Sequence, residues 1–126
     1  MNLNNHGIIT GRLTRDPKIV QNNDGSHKVR FTVAAVDNFQ TKGEYRPQFV
    51  PLESYVRKDS HMLKVYNKLK KGSSITAATS IRTPDPYVDA NGEKVYPLVI
   101  NIDTIKINDY QKTPVDTLEE ELSDIE

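Results

Sequence analysis

Acid–base or metal chemistry needs titratable side chains gathered in one place, and this chain spreads them out. His6, His27 and His61 lie far apart on three different predicted elements, with no His-x-Glu or His-x-x-x-His spacing for zinc. Asp85, Asp89 and Glu93 recur every four residues. On a helix that spacing would gather carboxylates for magnesium, but the segment reads as an extended hairpin, where they do not converge and solvated loop carboxylates are expected. Gly11-Arg12-Leu13 is no phosphate loop, because no glycine-rich run enters a helix through Lys-Ser or Lys-Thr. No catalytic residue, metal site or cofactor is expected. The residues that do form a pattern are aromatics on a strand and in loops, interleaved with Arg12, Lys28, Arg30, Arg46, Arg57 and Arg82. Bases stack on rings while cations follow phosphates, so these are the parts that hold a single-stranded nucleic acid.

The elements that must position them centre on residues 73–107. Two apolar strands, 75–82 and 95–107, flank a polar arm, 83–94, that carries Tyr87 and an Asn91-Gly92 turn. Such a pair between strand-like residues predicts a hairpin whose two central residues both have positive φ. The arm lacks the apolar alternation of a core, so it is expected to reach outward. In the last strand Leu98, Ile100 and Ile102 share one face and Ile105 and Ile107 the other, which predicts a bulge near Asp103.

Upstream, residues 7–14 read as a first strand, with Ile8 and Ile9 implying burial on both faces, and 18–21 as a short second piece ended by the turn Asn22-Asn23-Asp24-Gly25. Val29, Phe31, Val33 and Ala35 then alternate with Lys28, Arg30 and Thr32, which makes the first set core and the second surface. Residues 37–47 are polar and read as a loop holding Phe39 and Tyr45. In the strand 49–56, Val50, Leu52 and Val56 share the core face, so Phe49, Glu53 and Tyr55 point the other way. Two aromatics on one outward face ask for a ligand, a subunit contact or a small second core under a loop. Residues 59–71 predict a helix, with Met62, Val65, Tyr66 and Leu69 in one stripe and Asp59 or Ser60 as its cap. That helix packs inward, so no basic recognition helix for a duplex is present.

The fold expected from these segments is all-β with one helix: a five-stranded OB-fold barrel with a long hairpin between strands 4 and 5 and a disordered acidic tail. At 126 residues the chain holds one domain, residues 1–110, and a flexible tail, 111–126. The formal net charge of zero hides a division. Residues 116–126 carry six acids and no base, so the 17 basic residues face 11 acidic ones over residues 1–115, a formal +6. A basic domain of this kind suits a polyanion, and a solvated surface is the plain alternative. No apolar run of about 18 residues and no leader pattern is present, and cysteine is absent. A cytoplasmic protein without a membrane partner is expected.

Gly11-Arg12-Leu13-Thr14-Arg15-Asp16-Pro17, Val29-Arg30-Phe31-Thr32-Val33-Ala34, Leu69-Lys70-Lys71-Gly72-Ser73, Arg82-Thr83 and Asn91-Gly92 running to Tyr96 occur in order with credible spacing. Over about residues 3–107 the chain resembles the bacterial and phage single-stranded DNA-binding protein family. The resemblance implies an OB-fold, usually a homotetramer, that coats single-stranded DNA without sequence preference in replication, recombination and repair. It implies that the base-stacking aromatics are Phe39, Phe49, Tyr55 and Tyr87, two of which the parity argument already puts outside. The first strand near residues 6–9 is the expected subunit contact.

Departures from the family pattern are visible. There is no tryptophan, Pro84 and Pro86 stiffen the start of the arm, and residues 56–63 make a longer link into the helix. The tail ends Leu122-Ser123-Asp124-Ile125-Glu126, where the bacterial family ends in acidic residues followed by Ile-Pro-Phe. So short a chain resembles a phage member working in a host cytoplasm. Leu122, Asp124, Ile125 and Glu126 are the expected contacts for replication or recombination proteins, and the same acidic segment is expected to compete with DNA for the cationic surface. Two rival readings stay open: an accessory subunit acting through protein contacts, and a metal-dependent nuclease using the arm carboxylates.

Overall fold

The structure, a computed structural model, describes residues 2–108. In chain order these form β1 (Gly7–Leu13), β2 (Lys18–Gln21), β3 (His27–Thr41), β4 (Glu44–Val56), α1 (Met62–Asn67), β5 (Ser74–Arg82), β6 (Tyr87–Val88), β7 (Lys94–Val95) and β8 (Val99–Ile107). The acidic tail, with its proposed boundary at residue 111 and its partner contacts, lies outside the described residues.

The alternation in β3 does what its period demands. Val29, Phe31 and Val33 are buried while Lys28 and Arg30 face out, and β4 answers with Leu52, Ser54 and Val56 inside. β3 and β4 pair antiparallel from His27↔Val56 outward. β1 pairs β5 along its length and β3 at Arg12↔Ala34 and Leu13↔Val33, β5 pairs β8, and β8 meets β4 in parallel at Glu53↔Asn101. The ring β1-β5-β8-β4-β3 thereby closes on itself as a five-stranded OB-fold barrel, with β2 added to β3 outside the ring. Leu13, Val29, Phe31, Val33, Leu52, Val56, Ile75, Ala77 and Ile102 fill it, and Tyr66 and Leu69 pack on the same core.

Closure rests on two local devices. β1 must pass from one neighbour to the other, and a Cβ on Gly11 would stand 2.6 Å from the Ala34 carbonyl oxygen, so only glycine lets the strands approach this closely. In β8, Asp103 is the extra residue between Thr79↔Ile102 and Ala78↔Thr104, which is the bulge the phase change predicts. The Ser80 hydroxyl donates to Asp103 Oδ1 at 2.9 Å and anchors it.

Several local expectations need correction. Residues 37–47 are not a loop: β3 and β4 continue as a ladder to Thr41↔Glu44, interrupted by a bulge between Val36 and Gln40. Their two-residue turn is Lys42-Gly43, both at positive φ (52° and 81°), so the primed turn geometry expected at Asn91-Gly92 occurs here instead. In the arm only Gly92 of that pair has positive φ, and the Asp89 carboxylate accepts the Asn91 and Glu93 amides, which builds a longer loop. The helix spans six residues, not 59–71. Ser60 Oγ accepts the Met62 amide, and beyond Asn67 the chain turns so that the Gly72 amide reaches the Leu13 carbonyl and the Lys71 amide reaches Asp16. Finally, Ile8 is not buried on both faces but is 70% exposed in the single chain.

Replacing Gly11 with Ala forces β1 and β3 apart. Chemical denaturation should show a loss of about 1–3 kcal/mol, the usual cost of overpacking, and an unchanged midpoint would contradict the close-approach account.

Candidate nucleic-acid interface

The outward face of the β3–β4 ladder is built in pairs: Phe49 opposite Ala34, Pro51 opposite Thr32, Glu53 opposite Arg30 and Tyr55 opposite Lys28. Because Ala34 is small, the Phe49 ring has little cover and is 64% exposed; Tyr55 is 60% exposed. The Tyr55 hydroxyl donates to Asp24 Oδ2 at 3.5 Å, which steadies the ring's tip against the β2–β3 turn. Asp24 itself accepts from the Ser26 hydroxyl and amide, and these bonds, in that order, hold its carboxyl below the usual carboxylate value. It therefore stays ionised to lower pH than a free carboxyl.

Parity in β3 and the apolar stripe of α1 place the core aromatics. Tyr66 is buried, its ring 6.4 Å from that of Phe31, and burial pushes its hydroxyl pKa up against a smaller opposing effect of the Ser54 hydrogen bond. Neither ring is available for stacking.

At the centre of the outer face stands Glu53. Arg30 Nε lies 2.8 Å from one carboxylate oxygen and Lys28 Nζ 3.8 Å from the other. Two of the cations expected to follow phosphates thus share one carboxylate. A partly exposed pair of this kind contributes only about 0–1 kcal/mol to stability, so the arrangement is more informative about the surface than about the fold.

Two open concavities meet at this point. One, of about 400 Å³, is lined by Arg15, Lys18, Arg30, Pro51 and Glu53 among others. The second, of about 280 Å³, shares Arg30, Pro51 and Glu53 and adds Tyr87, Pro97 and Leu98 from the arm side. The arm's own two-stranded sheet, β6 with β7, holds Tyr87 opposite Val95. Tyr87 is therefore brought to the same groove as the β3–β4 face although more than thirty residues separate it from Glu53 in sequence.

The remaining predicted residues are placed elsewhere. Phe39 and Arg46 lie on the outer half of the β3–β4 hairpin, exposed and within the bulge between Val36↔Pro47 and Gln40↔Tyr45, and line neither concavity. Arg57 follows β4 and borders a third concavity with Tyr55, Tyr66 and Asp103. Arg82 ends β5 at the root of the arm. Arg12 donates through its guanidinium to the Gly72 carbonyl at 2.8 Å, which ties β1 to the end of the helical segment.

Sequence reasoning passed over two residues of the groove and one exposed ring outside its lining. Arg15 and Lys18 line the first concavity, and Lys18 stands opposite Arg30 in the β2–β3 ladder, a placement that needs the register of a four-residue strand. Tyr96 is 72% exposed with Lys94 Nζ 5.6 Å from its ring centroid. The signal for it was its position in the break that Pro97 makes between β7 and β8, where a continuous strand was expected.

Among the described residues no three His, Asp or Glu side chains stand together around one point. Asp89, one of the arm carboxylates, is engaged by turn amides. No helix among them is long and apolar enough to cross a membrane.

The geometry is that of an OB-fold with exposed rings and cations along one concave side, and the comparison with known families agrees with it. Residues 4–108 match the model of the single-strand binding protein family, a span that takes in every barrel strand and the arm. No curated protein sequence matches the chain. On the family match, this chain belongs to the single-strand binding protein family.

Proposed function

We propose that this protein binds single-stranded DNA, without catalysing a reaction on it, along the outer face of β3 and β4 and across to the arm. The observation that carries the reading is the pair of concavities that meet at Arg30, Pro51 and Glu53 and are flanked by exposed Phe49, Tyr55 and Tyr87. Bases stack on these rings, and Lys18, Lys28, Arg15 and Arg30 neutralise phosphates along the way. Phe39 and Arg46 extend the track onto the long hairpin, Arg57 and Arg82 extend it at the far ends, and Arg12 supports it from β1. Protection of single strands in replication, recombination and repair follows from such coating. Phage origin and a host setting rest on the resemblance, whereas a cytoplasmic place and the division at residue 111 into binding domain and tail rest on the composition and charge of the sequence.

The quaternary proposal is a homotetramer with β1 at a subunit contact. Ile8 on β1, with Leu3 before it and Ile81 at the end of β5, leaves large apolar side chains in water in the single chain. For the tail, we propose two roles: competition with DNA for the cationic surface, and docking of replication or recombination proteins through Leu122, Asp124, Ile125 and Glu126.

Three experiments bear on these points. Tyr87→Ala should weaken binding of an oligonucleotide that spans the groove by about 1–3 kcal/mol, the general value for a base on an OB-fold ring, and leave the melting temperature nearly unchanged. Unaltered affinity would remove Tyr87 from the track. Light scattering at micromolar concentration should give a mass near four times the 14.3 kDa chain, and a monomer mass would end the tetramer proposal. A chain ending at residue 113 should bind DNA more tightly at low salt and about equally at high salt. Equal binding at both salts would mean that the tail does not visit the groove.

A further inference from the structure

We infer that Glu53 makes the groove between the arm and the β3–β4 face a reader of amino-bearing base edges, cytosine above uracil or thymine, at one point of an otherwise unselective track. The inference rests on the reading that single-stranded DNA lies on this face. A carboxylate is an odd residue at the centre of a surface meant for a polyanion. Its side chain is only 19% exposed, against 47% for Lys28 and 58% for Arg30, so it sits low in the groove while the cations stand more in solvent. Because both concavities are lined by Glu53, a strand passing from one to the other crosses it.

A phosphate brought against Glu53 meets a like charge, and the repulsion strengthens as water leaves the groove. A neutral base does not. The neighbouring walls favour the base too: Pro51, Tyr87, Pro97 and Leu98 offer apolar surface and a ring face. At this point, then, the base turns inward and the backbone outward.

Once inside, the base edge faces an acceptor set beside a donor. A carboxylate has about four lone-pair positions, and Arg30 Nε takes one; Lys28 at 3.8 Å is an ion pair beyond hydrogen-bond distance. Acceptor sites therefore remain for an incoming amino group, with the Arg30 guanidinium alongside as donor. Cytosine presents an N4 amino donor next to the N3 acceptor, which matches that order. Adenine offers the same order through N6 and N1. Uracil and thymine put the O4 carbonyl where cytosine has its amino group, and two acceptors then face each other. The pairing of Glu or Asp with cytosine N4 is the same one used in duplex readout.

The test compares the full chain and Glu53→Gln on oligo-dC and oligo-dU of equal length at mildly alkaline pH. These two bases have the same size and differ at position 4, with the matching change at N3, and the readout is the change in their affinity ratio, so differences in strand stacking cancel. The ratio of dC to dU affinity should fall about three- to tenfold in the variant, the range of one hydrogen bond, because the amide can turn its NH2 to meet O4. Arg30, freed from its ion pair, should also make the salt dependence of binding steeper for both oligonucleotides. A variant that still binds with an unchanged ratio overturns this inference and leaves the single-strand reading standing. Failure of the unaltered protein to bind either oligonucleotide overturns both. Glu53→Lys keeps the test sound should the Gln variant fold poorly: it too must lose the preference for dC, and a retained preference overturns the inference.

Discussion

The period of two along β3 and β4 is the constraint from which the rest follows. Burying Val29, Phe31, Val33, Leu52 and Val56 leaves Phe49, Glu53 and Tyr55 no direction but outward, opposite Ala34, Arg30 and Lys28. A slip of one residue would exchange the two sets, sending two aromatics and a carboxylate into the barrel and Leu52 into water. The hydrophobic requirement of the core thus fixes the chemistry of the outer face. The surface is as well determined as the interior.

Closure of the ring then brings distant residues to that face. Gly11 lets β1 serve two neighbours, and the extra residue Asp103 resets the phase of β8 so that Ile100 and Ile102 before it and Ile105 and Ile107 after it all pack against the core. β8 reaches β4 in parallel at Glu53↔Asn101, and the segment just before it, with Pro97 and Leu98, forms the second wall of the groove. The arm departs from the ends of β5 and β8, so the same closure that completes the core carries Tyr87 over to Pro51 and Glu53. Core packing and the candidate site are two consequences of one topology.

Where burial was decided by strict alternation or by phase, the sequence was legible: the core faces of β3 and β4, the exposed pair Phe49 and Tyr55, the bulge at Asp103 and the strand order of the barrel. It was least legible where local turn chemistry decides. Lys42-Gly43 lacks the Asn or Asp that usually marks a primed turn, so the outer half of the longest hairpin looked like loop, and Phe39 was read onto a loop instead of a strand end. The helix was read too long because Leu69 keeps the apolar spacing through a turn that hydrogen bonds to β1 and Asp16 then redirect. Arg15 and Lys18 could not be assigned to the groove without the β2–β3 register. The ion pairs at Glu53 required cross-strand partners that a single strand's pattern does not name.

The account stands on one claim, that a strand of nucleic acid lies across exposed rings and is held by cations on this face. The most direct test follows intrinsic tyrosine fluorescence of the full chain during titration with poly-dT at two salt concentrations. The account predicts saturable quenching as bases cover Tyr55 and Tyr87, with an apparent affinity that falls as salt rises, by a slope of about 0.7 for each phosphate neutralised. Fluorescence unchanged by poly-dT at either salt, or binding indifferent to salt, would contradict it.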